Sequence, residues 1–110
     1  MRKVLLAAMA LALLGCQSAR RGEPVIGPVT FSEKESRGQV LFDRHCHKCH
    51  THGEGGLAPS INDKPLPKFM MRLQTRVGMG AMPSFSREQI SEEELDALLE
   101  YLVALRRAGR

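Results

Sequence analysis

Two of the three cysteines and all four histidines of this 110-residue chain fall between residues 43 and 60, in the stretch DRHCHKCHTHGEGGLAPS. Thiols and imidazoles packed this closely suggest metal chemistry first. Cys46, Cys49 and two histidines could supply four zinc ligands of suitable softness. Structural zinc sites, however, draw their second pair of ligands from a distant segment, so that the metal closes a loop and contributes to folding. No second Cys/His cluster follows downstream. A thioredoxin-like use of Cys-x-x-Cys would need a βαβ frame around it, and no run of β-branched residues is there to build parallel strands. That use also leaves His50 without a role.

Cys46-His47-Lys48-Cys49-His50 has instead the C-x-x-C-H spacing of covalent haem attachment. Two thiols three residues apart lie on one side of a helical turn, where they can add to the two vinyl groups of one haem edge and become thioethers. The next residue, His50, is then carried under the ring, where its imidazole can bind iron as the proximal ligand. One haem c, held through Cys46 and Cys49, is therefore the expected cofactor. His45, His47 and His52 match no spacing that a haem requires, and they are expected to be solvated.

The opposite end of the chain supplies the compartment. Residues 1–16, MRKVLLAAMALALLGC, begin with Arg2 and Lys3 and continue in an apolar run from Val4 to Leu14 that is too short for a transmembrane helix. The pattern is that of a signal peptide over residues 1–15, and its ending, LLGC, resembles the lipobox of bacterial lipoproteins. That resemblance makes Cys16 a lipidated membrane anchor rather than a redox thiol. The residue after it is Gln17, not the aspartate that resembles an inner-membrane retention signal, so the expected location is the cell envelope, leaning towards the outer membrane. Residues 16–30 are polar, carry Gly22, Pro24, Gly27 and Pro28, and show no apolar period. They read as a flexible tether with a reach on the order of 20 Å.

Residues 31–110 are then one small domain. A chain of that size buries a limited core and commonly needs a staple, which a covalently held haem would provide. With four Phe, one Tyr and no Trp, an apolar cofactor would supply much of the interior. The formal charge of +4 loses two positive charges with Arg2 and Lys3, and no basic stripe with interleaved aromatics is present, so nucleic acid is not an expected partner.

The elements that would position the site are all helical. Ser32 and Glu35 form a capping box for a helix from about Glu33 towards His45. Gly53, Gly55 and Gly56 break it. Phe69, Leu73 and Val77 put an i, i+4, i+8 face on a short helix from about Lys68 to Val77. Ser91 and Glu94 repeat the capping box, followed by Leu95, Leu98, Leu99, Leu102 and Leu105 at helical spacing. Glu92, Glu93 and Glu94 occupy that last helix's first turn, where the macrodipole favours anions, and are expected to be a solvated face.

Across residues 32–107 the chain resembles the class I c-type cytochromes, mono-haem proteins with a small all-α cytochrome c fold whose helices pack around one covalently attached haem. Gly38 and Phe42 stand eight and four residues before Cys46, where that family places a glycine and an aromatic that meet the last helix, and Leu98 and Tyr101 match their partners. The resemblance implies that Pro59, in LAPSI, directs its backbone carbonyl at His50. It also implies that Met82, in VGMGAMPSF, is the second axial ligand, with Gly78 and Gly80 permitting a close backbone route and Pro83 limiting the loop. Met79 is the rival thioether, while Met70 and Met71 are expected to be packing residues. A His50/Met82 pair closes both axial positions, which implies outer-sphere electron transfer between respiratory redox partners, no small-molecule substrate and no enzymatic activity of its own. The alternatives are a haem-containing subunit of an oxidase or dehydrogenase complex, a haem enzyme or gas sensor with a displaceable methionine, and a non-haem metal-binding lipoprotein.

Overall fold

The computed structural model describes Met1 and residues 27–109. The expected signal peptide, the anchor Cys16 and most of the tether lie outside the described residues. Within them the protein is all-α, with three helices, α1 (Glu33–His45), α2 (Lys68–Val77) and α3 (Glu92–Ala108), and one 3₁₀ turn at Thr51–Gly53. No strand occurs among the described residues; the nearest thing to one is a single antiparallel bridge between Met79 and Met82.

Both long helices start where the sequence places their caps. The Ser32 side chain accepts from the Glu35 backbone N–H while the Glu35 carboxylate accepts from the Ser32 N–H, and Ser91 and Glu94 do the same for α3. Each reciprocal pair satisfies two of the donors that a helix N-terminus otherwise leaves open. α3 then carries Leu95, Leu98, Leu99, Leu102 and Leu105 into the core, joined by Leu41 and Phe42 of α1, Met71 of α2 and Ile90 of the connection before α3. Phe42, Ile90, Leu95 and Leu99 are completely inaccessible to solvent.

α1 and α3 cross at Gly38. A Cβ built there would lie 2.0 Å from the Ala97 carbonyl oxygen and 2.9 Å from the Tyr101 Cβ, so only glycine permits the approach. The contacts at Gly38 are the Ala97 backbone and Tyr101, one of the two expected partners; the other, Leu98, is buried in the same core. Tyr101 is flanked by Phe31 and Phe42, with ring centroids at 5.3 and 5.5 Å. Burial, with the Asp43 carboxylate adding to it, pushes its phenol up to about 12.

α2 has the predicted boundaries, and the predicted one-face trio is not its inward face. Its inward residues are Met71 and Thr75, whereas Phe69, Leu73 and Val77 remain 69, 59 and 67 % exposed. Periodicity correctly places those three on one face, but none of the described residues covers that face. Of the two methionines expected to pack, Met71 does so and Met70 is exposed. What holds α2 to α3 is largely ionic: Arg72 reaches Glu92 at 2.8 Å and Asp96 at 2.6 Å, Arg76 reaches Glu92 at 3.0 Å, and Lys68 pairs with Glu100. Glu92 thus belongs to a charged seam and is not simply a solvated capping residue. Desolvation works to raise its carboxyl, but Arg76 and then Arg87 outweigh that and hold it below the usual carboxylate range.

Candidate functional site

The Cys-x-x-Cys-His segment is a tight turn running off the end of α1. Cys46 and His47 both donate their N–H to the Phe42 carbonyl, at 2.8 and 3.0 Å, and Cys49 and His50 donate to the Cys46 carbonyl, at 3.1 and 2.9 Å. This coil keeps both thiols and the following imidazole within one turn. Cys46 is partly buried and Cys49 exposed, both as free thiols. Burial, and next the neighbouring Cys49, push the Cys46 thiol up to about 12.

The chain then folds back beneath its own turn. Gly53 accepts the N–H groups of Ile61 and Asn62 at 2.8 and 3.0 Å, and Cys49 accepts that of Ala58 at 3.0 Å. Two of the glycines here are required. Gly53 has φ +76°, and a Cβ on Gly56 would sit 2.7 Å from Thr51 Oγ1. The return brings the Pro59 carbonyl to 2.7 Å from His50 Nδ1. The geometry makes Nδ1 the donor, because a carbonyl can only accept, so Nε2 is the nitrogen left with its lone pair for a metal.

Of the other histidines His52 is exposed, as expected, whereas His45 and His47 are half-buried. His47 accepts the His52 N–H on its Nδ1 at 3.2 Å, its ring lies 4.6 Å from that of His52, and His52 itself takes a left-handed backbone with φ +52°. His45, immediately before Cys46, sets its ring edge against Phe85 at 5.8 Å. Phe85 stands three residues after Met82, so this contact ties the segment carrying Met82 to the end of α1 that carries His50.

Met82 belongs to a turn built on the C-terminus of α2. Met79 and Met82 exchange both backbone hydrogen bonds, at 3.1 and 2.9 Å, around Gly80 with φ +56°. Gly78, at φ +76°, leaves no room for a Cβ beside the Met82 carbonyl oxygen, which would be 2.7 Å away. Met82 is partly buried and Met79 is 65 % exposed. No hydrogen bond joins Met82 directly to the Cys/His turn; Cys46, Cys49, His50 and Pro59 form one cluster and Met82 stands on a second segment, linked through His45 and Phe85.

These residues fit a haem on two observations. The ligating groups are two thiols, an imidazole whose Nδ1 is held by the Pro59 carbonyl so that Nε2 keeps its lone pair, and a soft thioether. In the same domain Leu57, Phe69, Leu73, Val77 and Met79 are between 59 and 85 % exposed. That much large apolar side chain left uncovered in so small a domain is what a flat, greasy cofactor would bury. The sequence signalled the donors but not the uncovered side chains, because their periodicity alone does not say what they pack against.

A family model described as cytochrome c oxidase, cbb3-type, subunit III matches residues 33–102. The chain is also 34% identical over 68 residues to the cytochrome c subunit of 4-cresol dehydrogenase [hydroxylating] from Pseudomonas putida, an alignment that covers 62% of this chain. It spans 59% of the length of that curated relative. No solved structure matches the chain.

Proposed function

Since the chain belongs to the cytochrome family of cbb3-type oxidase subunit III, we propose that it is a membrane-tethered, mono-haem electron carrier with His50 and Met82 as axial ligands. The observation that carries this reading is the His50–Pro59 bond of 2.7 Å. It selects the imidazole tautomer, turns Nε2 outward and raises its basicity, which is what a proximal ligand needs. When bound, the haem supplies a one-electron iron couple whose potential a thioether ligand raises. Cys46 and Cys49 would hold it covalently, and the apolar face of α2 would exclude water from it. Met82 would fill the sixth position, leaving no place for a substrate; the protein then passes electrons without catalysing a reaction of its own. Redox partners would meet it through small, transient interfaces.

A second reading is favoured by the two matches, a family described as an oxidase subunit and a relative named as a cytochrome subunit of a dehydrogenase. In it the domain works as the bound electron-accepting subunit of one such complex. A lipid on Cys16 and the tether of residues 16–30 suit either reading, since tethering raises the effective concentration of the domain near envelope partners. The location that goes with this is the cell envelope, outside the cytoplasm, with the outer membrane the favoured side.

Replacing Met82 by Ala should abolish the sulfur-to-iron charge-transfer band of the oxidised protein and lower its potential. A Met82→Ala protein that keeps both would move the ligand to Met79. Cys16→Ser should release the protein from membranes, and retention after a salt wash would contradict the anchor.

A further inference from the structure

We propose that Arg76 is a positioning residue for the Met82 turn, a clamp that holds the thioether in place from behind. The inference rests on the reading of Met82 as the axial ligand. Arg76 projects from the last turn of α2 and its side chain is only 16 % exposed. Its Nη1 donates to three backbone carbonyls on the far side of the turn, those of Phe85 at 3.2 Å, Ser86 at 3.1 Å and Ile90 at 2.7 Å. Its Nη2 donates to Glu92 at 3.0 Å. One guanidinium therefore joins the end of α2, the segment leaving the Met82 turn and the entrance to α3.

The Met82 turn has two stems, and they are fastened differently. The incoming stem is held by the helix end itself, through the Gly78 N–H to the Gln74 carbonyl at 2.7 Å and the close fit of Gly78 against Met82. The outgoing stem has a single backbone bond to α2, from Phe85 N–H to the Thr75 carbonyl at 2.9 Å. Everything else holding residues 85–90 to α2 in these hydrogen bonds comes from Arg76. The nearest inaccessible side chain on that stem is Ile90, eight residues beyond Met82. Without the fork, three carbonyls lose a charged donor, and the outgoing stem keeps only the Phe85 backbone bond and the packing of the Phe85 ring against the core and His45. Arg76 is not itself a core residue and meets the core cluster through the Ile90 carbonyl, so the effect should concentrate on the ligand.

Exogenous imidazole reads this directly, because it occupies the methionine's position only in the fraction of molecules whose thioether has left. The oxidised, haem-loaded protein is titrated with imidazole at fixed pH while the charge-transfer band and helical circular dichroism are followed. Arg76→Met should bind imidazole roughly tenfold more tightly in apparent affinity, with unchanged helix content. Arg76→Lys keeps the stem and the charge beside Glu92 but cannot fork across three carbonyls, and it should fall about threefold on the same side. Glu92→Gln removes the ion pair and leaves the carbonyl bonds, so it should bind imidazole like the wild type. Wild-type imidazole affinity in Arg76→Met overturns the clamp, as does a Glu92→Gln effect as large as that of Arg76→Met. If Arg76→Met does not assemble with haem, Arg76→Lys decides alone, and unchanged affinity overturns the proposal. Met82→Ala separates the two claims: if it keeps the charge-transfer band, the axial reading fails and the clamp with it, whereas loss of the band in Met82→Ala beside wild-type affinity in both Arg76 variants sinks only the clamp.

Discussion

The two sides of α3 are built on different terms. Against α1 the chain completes its own core: Gly38 lets the backbones nearly touch, Phe42 and the leucines of α3 are sealed from water, and aromatic rings close the edge. Against α2 the contacts are mainly salt bridges and one arginine fork, while Phe69, Leu73, Val77 and Met79 face outward. One half is specified by side chains meeting side chains. The other half leaves large apolar side chains uncovered by any of the described residues. The proposed carrier would use both: a rigid frame to hold the His50 turn, and an apolar wall that a bound haem would cover.

The largest test of this contrast is Gly38→Ala. Its methyl group would have to displace the Ala97 carbonyl, and such overpacking should cost about 3 kcal/mol of global stability, at the upper end of the usual range. Thermal unfolding of the haem-loaded protein reads it as a fall of roughly 12 °C or more. A Gly38→Ala protein with wild-type stability would mean that the crossing is loose.

Truncating one leucine in each half sharpens the comparison. Leu98→Ala should lose about 3 kcal/mol with or without haem, as expected for a buried leucine. Leu73→Ala, on the exposed face of α2, should cost about 1.5 kcal/mol with haem bound and almost nothing when haem attachment is prevented by Cys46→Ala and Cys49→Ala. Equal costs in both states would show that α2's outer face is ordinary surface. Denaturant unfolding of the six proteins, both variants and their parent with and without haem, measures this.

The smallest effect belongs to the ionic seam. Asp96 accepts from Lys34 of α1 at 2.8 Å and from Arg72 of α2 at 2.6 Å, and these cations, Lys34 first, hold its carboxyl below the usual range. A depressed carboxyl contributes stability that is present above its unfolded pKa, about 3.9, and is lost as the pH falls through the folded value. The pair is open to solvent, so screening reduces the contribution. Asp96→Asn should lower the unfolding midpoint slightly at neutral pH and not at all in strong acid; a pH-independent loss would point to packing instead.

Much of the frame was legible in the residues because it depends on local chemistry. Ser32 with Glu35 and Ser91 with Glu94 announce their helices by a three-residue spacing, and Cys46-x-x-Cys49-His50 names its cofactor by geometry within a single turn. Gly38 and Pro59 were legible only through the family resemblance, since a glycine inside a helix and a proline in a loop have many possible reasons. The seam and the fork were not legible at all. Glu92 reads as a capping-face acid, Arg76 as a surface cation of a short helix, and His47 as solvated, because which helix each one meets is decided by tertiary packing that no periodicity encodes. The face formed by Phe69, Leu73 and Val77 shows the same limit from the other side, since the spacing is correct and none of the described residues covers it.

The central claim is that His50 and Met82 together close the iron, and it is tested most directly by the absorption spectrum of the purified, dithionite-reduced protein before and after carbon monoxide. A sharp low-spin c-type spectrum that the gas leaves unchanged is the expected result. A spectrum that shifts on addition of the gas would contradict it, showing an open or labile sixth position and bringing forward a haem enzyme or gas sensor.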